Sequence, residues 1–208
     1  MQFDAIVVGS GITGGWAAKE LTEGGLKVLL IERGRAIRHG QDCATGTKAL
    51  WDLPFRGQGD AAQYQREYPV QALNRHFTEF THDHFFNDAQ NPYATADDSQ
   101  FTWFRLYQRG GRSLTWGRQS YRWSDCDFGA NNRDGHGTEW PIRCADVAPW
   151  YDNVEEFIGV FGAAEGLAQL PDGRYQPPMA LNVVERHARA VARTAPIFRR
   201  NRARCPPR

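Results

Sequence analysis

Residues 3–32 read FDAIVVGSGITGGWAAKELTEGGLKVLLIE, and this stretch decides the fold. Phe3 to Val8 is a short apolar run of β-favouring residues, the pattern of a buried parallel strand. It enters Gly9-Ser10-Gly11-Ile12-Thr13-Gly14. A helical stretch from Gly15 to Thr22 follows, with Ala18 and Leu21 on one face, and Gly24-Gly25 stops it. Val28 to Ile31 is a second apolar strand, closed by Glu32.

The glycine spacing has a physical purpose. Gly9 allows a tight turn, Gly11 lets a pyrophosphate approach the backbone, and Gly14 lets the helix pack close to the strand. The helix N-terminus, with Ile12 and Thr13 beside it, offers free N–H groups and partial positive charge to phosphates. Glu32 lies 21 residues after Gly11, where an acid can accept a hydrogen bond from a ribose 2′-hydroxyl. The same carboxylate would repel the 2′-phosphate of NADP, so NAD and FAD remain. The fold class is α/β: a Rossmann-like FAD/NAD(P)-binding fold with a parallel sheet. Residues 1–37 form its βαβ unit. The wider run of Gly9, Gly11, Gly14, Ala18, Leu21, Gly25, Val28 and Glu32 resembles the ADP-binding fingerprint of two-dinucleotide flavoproteins. That resemblance favours FAD. Arg33, with Gly34 and Arg35, adds positive charge where the adenosine would sit.

Outside this unit the chain is less regular. Its 208 residues suffice for one substantial domain. Residues 38–107 are rich in Gly, Pro, Asp, Asn and Gln, with isolated aromatics and room for short helices near Ala44 to Asp52. They read as an irregular insertion into the sheet, or a lid, too aromatic for a disordered linker. Residues 140–195 contain helical segments. His82-Asp83-His84 would put two imidazoles on one face of a strand, but no further ligands can be placed, so no metal site is assigned.

Net charge is +1, yet residues 185–208 carry +7 and the other 184 residues −6. The body is therefore not a nucleic-acid binder by charge. The four cysteines have neither a CxxC nor a zinc spacing, and they read as free thiols. No run is long and apolar enough to span a membrane. The N-terminus goes straight into a strand pattern without a leader segment, which fits a cytoplasmic address.

Residues 110–123, GGRSLTWGRQSYRW, hold three glycines, three arginines and two tryptophans. Gly110 and Gly111 free the backbone for a close approach or a positive φ. Ser113 can hydrogen-bond a phosphate or ring edge, and Trp116-Gly117 sets a large ring beside free backbone. Arg112, Arg118 and Arg122 can neutralise a pyrophosphate or the electron-rich edge of a reduced flavin.

These motifs, together with WPIRCADVAPWYDNVEEFIGV at residues 140–160, resemble the N-terminal part of the glucose–methanol–choline oxidoreductases over roughly residues 3–195. The resemblance is closest to bacterial gluconate, fructose and glucoside-3-dehydrogenase flavoprotein subunits. It implies oxidation of a sugar or alcohol CH–OH by hydride transfer to flavin N5. It maps Gly110, Gly111, Ser113, Leu114, Trp116, Gly117 and Arg118 to flavin and pyrophosphate contacts, with residues 108–124 as the flavin-adjacent loop. It also implies a small subunit and a cytochrome as partners, and periplasmic export on a partner's signal as a second address.

Some of these relatives attach FAD through a histidine in a Thr-His-Trp sequence. This chain reads Leu114-Thr115-Trp116, so non-covalent FAD is expected. The family's catalytic histidine belongs to a later part of a longer chain, so no catalytic residue is assigned here. His187 reads as a surface residue of a helix. Residues 1–195 thus read as a partial FAD-binding domain, and the basic residues 196–208 as a non-family tail left by truncation. Such a fragment is expected to expose strand edges, to dissolve poorly, to hold FAD weakly or not at all, and to be inactive alone. An NAD-dependent Rossmann oxidoreductase is the other enzymatic reading.

Overall fold

The structure, a computed structural model, describes residues 1–194 except His39, with the side chains of Ala44 and Thr45 also left undescribed. The expected basic tail at residues 196–208 lies outside the described residues. The chain divides into two compact units, Met1–Gly117 and a second from Arg118 onward.

The first unit begins with β1 (Ala5–Val8), α1 (Ile12–Glu23) and β2 (Val28–Ile31). The strands pair in parallel, from Ala5 opposite Val28 to Val8 opposite Ile31. The ladder is carried one step further where the Gly9 N–H donates to the Ile31 carbonyl at 2.7 Å. Helix α1 holds two adjacent glycines, Gly14 and Gly15, each costing about 1 kcal/mol of helix propensity relative to alanine. At Gly14 there is no alternative, because a Cβ there would lie 2.0 Å from the carbonyl oxygen of Gly9. Gly25 ends the helix at φ 87°, and the Leu26 N–H returns to the Leu21 carbonyl.

The expected burial of β1 is not found. Ile6 and Val8 are 63% and 81% exposed, and Leu30 and Ile31 are exposed as well. Among the described residues the sheet has two strands, so the apolar residues of a parallel pair lack the cover that strands and helices usually give on both faces.

Residues 36–107 leave the end of β2 and return to it. Arg35 bridges Gln108 in parallel, and the Arg109 N–H donates to the Arg35 carbonyl at 2.9 Å. Between these points lie short 3-10 turns, among them Ala44–Thr47 and Leu50–Asp52, and α2 (Ala61–Glu67). The Asp60 carboxylate caps α2 by accepting from the amides of Ala62 and Gln63.

Irregular backbone must satisfy its polar groups without a ladder, and here buried side chains do so. Glu79 accepts from the amides of Phe55 and Gly57. Asp88 accepts from Val70, Gln71 and the Arg105 guanidinium. Gln71, fully buried, accepts from the Arg105 amide and donates to Asp88 and to the Trp103 carbonyl. Around these hubs Tyr64, Tyr68, Phe77 and Phe85 pack edge to face or tilted.

The second unit contains α3 (Asp125–Phe128), α4 (Ala130–Asp134), α5 (Cys144–Ile158) and α6 (Val183–Thr194). Ser124 and Asp127 form a capping box at α3, and Asn182 and Glu185 exchange hydrogen bonds at the start of α6. Its buried centre is Arg122, which donates to both carboxylate oxygens of Glu155 at 2.9 and 2.5 Å and to Asp152 at 2.5 Å. Arg122 therefore does not meet the expectation of a phosphate-neutralising arginine, since two carboxylates of α5 already take its charge. Cys43 and Cys144 are free thiols, whereas Cys126 is disulfide-bonded, against the reading of free thiols throughout. His187 is exposed on α6.

Candidate functional site

The first glycine turn joins β1 to α1. Gly9 sits at φ 93°, and a Cβ on Gly9 or Gly11 would meet nothing within 4 Å. The outer face of the turn is therefore open backbone. The first helical hydrogen bond runs from the Gly15 N–H to the Gly11 carbonyl. The amides of Ile12 and Thr13 precede it and have no acceptor inside the helix. Both residues are exposed. An open turn with free amides at a helix N-terminus suits a pyrophosphate.

Glu32 stands at the end of β2 and is tied to this turn. Its Oε2 accepts from the Ser10 amide at 2.7 Å and the Ser10 hydroxyl at 2.6 Å, and its Oε1 accepts from the Gly34 amide at 2.6 Å. The Ser10 hydroxyl first, then the Gly34 and Ser10 amides, lower its pKa from 4.5 to about 2. The Arg33 amide also favours the charged carboxylate, which is thus held by the backbone on both sides of the turn.

The depressed pKa has a testable consequence. The folded carboxylate ionises more readily than the unfolded one, so its contribution to stability is complete above about pH 4.5. It is lost as pH falls toward about 2. Urea unfolding of the chain and of Glu32→Gln should show a constant stability gap above pH 4.5 that closes on acidification. Parallel pH profiles would mean that Glu32 ionisation is not coupled to the fold.

The second glycine turn lies against the first. Gly110 and Gly111 have φ of 84° and 52°, and Gly111–Leu114 forms a 3-10 turn. A Cβ on Gly111 would come within 3.4 Å of Gly11 Cα. The Gly110 N–H donates to the Ser10 hydroxyl oxygen at 3.1 Å, across 100 residues of sequence. Gly34 holds the same segment close, because a Cβ there would fall 2.2 Å from the Gln108 nitrogen.

The expected site residues thus fall into groups. Gly9, Gly11, Ile12, Thr13, Gly14, Glu32, Gly110 and Gly111 belong to two touching turns and the acid that ties them. Ser113 uses its proton on the Gly110 carbonyl at 2.6 Å and keeps an acceptor. Leu114 and Trp116 are exposed at 45% and 37%, giving apolar surface in the same segment. Gly117 closes the first unit, and Arg118, at φ 58°, opens the second. Arg112 donates to the Phe104 carbonyl.

Arg33 stacks on Tyr107 with its guanidinium 4.4 Å from the ring centre. It lines a cleft of about 400 Å³ with Tyr68, His84, Asn87 and Gln108. Arg35 pairs with Asp42 at 3.1 Å, so its charge is taken locally. The His82-Asp83-His84 segment is a 3-10 turn rather than a strand. There His82 contacts the Asp83 carboxylate and the Glu79 carbonyl, and His84 Nδ1 lies 3.4 Å from Gln108 Oε1.

The parts that Ser10, Gly34 and Gln108 play in joining the two turns escaped the sequence reading. The available signals were a hydroxyl inside the glycine turn, a glycine two residues after the acid, and an amide just before the second turn.

Comparison with known proteins adds the following. The profile of a family described as FAD binding domain matches residues 4–194. Paromamine 6′-oxidase of Streptomyces fradiae is 28% identical over 186 residues, which is 86% of this chain and 27% of that protein. The 6‴-hydroxyparomomycin C oxidase of Streptomyces lividus is 28% identical over 163 residues, 77% of this chain and 23% of that protein. The fructose dehydrogenase large subunit of Gluconobacter japonicus is 24% identical over 168 residues, 78% of this chain and 28% of that protein. The chain therefore spans about a quarter of the length of these relatives.

Proposed function

This chain belongs to the FAD binding domain family of flavin oxidoreductases, and from that premise we propose that it holds FAD non-covalently for the oxidation of a sugar or alcohol CH–OH. The observation that carries the reading is the contact of the two glycine turns through Ser10, Gly11, Gly110 and Gly111. One turn alone would suit many nucleotides, whereas two adjoining turns of open backbone suit a long dinucleotide.

The residues present fit the cofactor. Open backbone at Gly9 and Gly11 and the first amides of α1 would take the pyrophosphate. The ionised Glu32 carboxylate would accept from a ribose hydroxyl. Gly110, Gly111, Ser113, Leu114, Trp116 and Gly117 would lie along the pyrophosphate and flavin, with Trp116 and Leu114 screening water. Arg33 would face the adenosine side. Bound FAD supplies the hydride acceptor. Leu114-Thr115-Trp116 offers no imidazole for a covalent bond, which supports non-covalent binding.

Two relatives are named as oxidases and one as a fructose dehydrogenase, which supports a carbohydrate alcohol as donor and membership of the glucose–methanol–choline oxidoreductases. The name "large subunit" supports a smaller partner subunit and an electron acceptor beyond this chain. We assign the proton-abstracting base to no residue of this chain, which would be inactive alone.

A titration with FAD followed by its visible absorbance, with NAD as competitor, tests the cofactor. FAD binding that NAD does not displace is expected. Displacement by NAD would favour a nicotinamide enzyme. A dye-reduction assay with sugars and added FAD should give no turnover, and turnover would place a base within this chain.

A further inference from the structure

Ser10 joins the two turns, and the cofactor reading gives its hydroxyl no ligand contact. Its hydroxyl has one proton and two lone pairs. The proton goes to Glu32 Oε2 at 2.6 Å, and a lone pair accepts from the Gly110 N–H at 3.1 Å. Its own amide also donates to Glu32 Oε2, at 2.7 Å, so backbone and side chain are both fixed by one carboxylate oxygen. A hydroxyl that donates to a carboxylate is polarised and becomes the better acceptor. The result is a short chain of hydrogen bonds from Gly110 through Ser10 to Glu32, which is in turn held by the Gly34 amide. Ser10 also sits between Gly9 and Gly11, the residues whose open backbone faces the ligand.

We propose that Ser10 is a positioning residue that sets the second glycine turn from the first, so that a ligand held on residues 9–14 alone orders Gly110. The proposal rests on the nucleotide reading of the first turn. It differs from a packing effect, because replacing Ser10 leaves the contacts of Gly11 with Gly111 and of Gly34 with Gln108 in place.

ADP is the probe, since it can fill the first turn and has no flavin to reach the second. Amide-resolved hydrogen exchange is measured on the full chain, on Ser10→Ala and on Ser10→Thr, each with and without saturating ADP. Without ligand, exchange at Gly110 should be about tenfold faster in Ser10→Ala, the size of one hydrogen bond, and restored in Ser10→Thr. ADP should slow exchange at Gly110 in the parent chain and in Ser10→Thr, but not in Ser10→Ala.

An equal ADP effect at Gly110 in the parent chain and Ser10→Ala would overturn the coupling while leaving the nucleotide site standing. Unchanged Gly110 exchange in ligand-free Ser10→Ala would overturn the hydrogen bond itself. A chain that binds neither ADP nor FAD would sink the nucleotide reading and the coupling together. Should Ser10→Ala fail to fold, Ser10→Gly, which also removes the hydroxyl, takes its place with the same outcomes.

Discussion

A chain carrying Gly34→Ala is expected to lose roughly a hundredfold in FAD affinity. The added Cβ would lie 2.2, 2.4 and 2.6 Å from the N, Cα and C atoms of Gln108. All three are backbone, so no side chain can swing aside. Relief requires residues 108–111 to move off the end of β2. That movement strains the bond from the Arg109 amide to the Arg35 carbonyl and the bond from the Gly110 amide to Ser10. Overpacking of this kind costs about 1–3 kcal/mol, and the upper end is appropriate where the neighbour is backbone. The same displacement separates the two glycine turns, so binding should fall with stability. Gly46→Ala is the matched control, since a Cβ there meets nothing within 4 Å. FAD titrations and thermal melts of both variants check this. Equal FAD affinity in Gly34→Ala and the parent chain would show that the second turn is not part of the site.

Arg122→Ala is expected to destabilise the second unit by about 3–5 kcal/mol, the usual result of breaking a buried ion pair from one side. Glu155 is 4% exposed and would be left buried with its main partner gone. Asp152, at the edge of the pair, would lose its shortest contact as well. Its pKa is lowered chiefly by the hydrogen bond from Arg122, so removal should also let Asp152 return toward an ordinary carboxylate. A double change, Arg122→Met with Glu155→Leu, should recover most of the loss, because apolar replacement of both partners is often neutral. Urea unfolding followed by tryptophan fluorescence and circular dichroism measures both. A loss under about 1 kcal/mol in Arg122→Ala would mean that water reaches Glu155 in the folded chain.

The parts of the fold that could be read in the sequence are those whose causes are local. Gly9 needs a positive φ and Gly14 needs space beside the carbonyl of Gly9, five residues away. Both demands leave a glycine at a fixed offset, so the turn and its strand–helix–strand setting were visible. The role of Ser10 was not, because its partners are 22 and 100 residues distant. Only the fold brings them together.

Arg122 misled for the complementary reason. Amid glycines, tryptophans and two other arginines it looked like part of a ligand site. Burial against Glu155, 33 residues on, gives it a structural task instead. Burial of β1 failed as an expectation because an apolar strand pattern reports what the strand could pack against, not what lies beside it. In residues 38–107 the order comes from buried Gln71, Glu79 and Asp88, polar residues with no period to read.

On the proposed function, the two glycine turns make one dinucleotide surface. Amide-resolved hydrogen exchange of the full chain with saturating FAD tests it most directly. Protection should rise together at residues 9–14 and 110–114, and the Gly34→Ala chain should lose it at both. FAD binding that protects one turn and leaves the other unchanged would mean that the turns do not share one ligand.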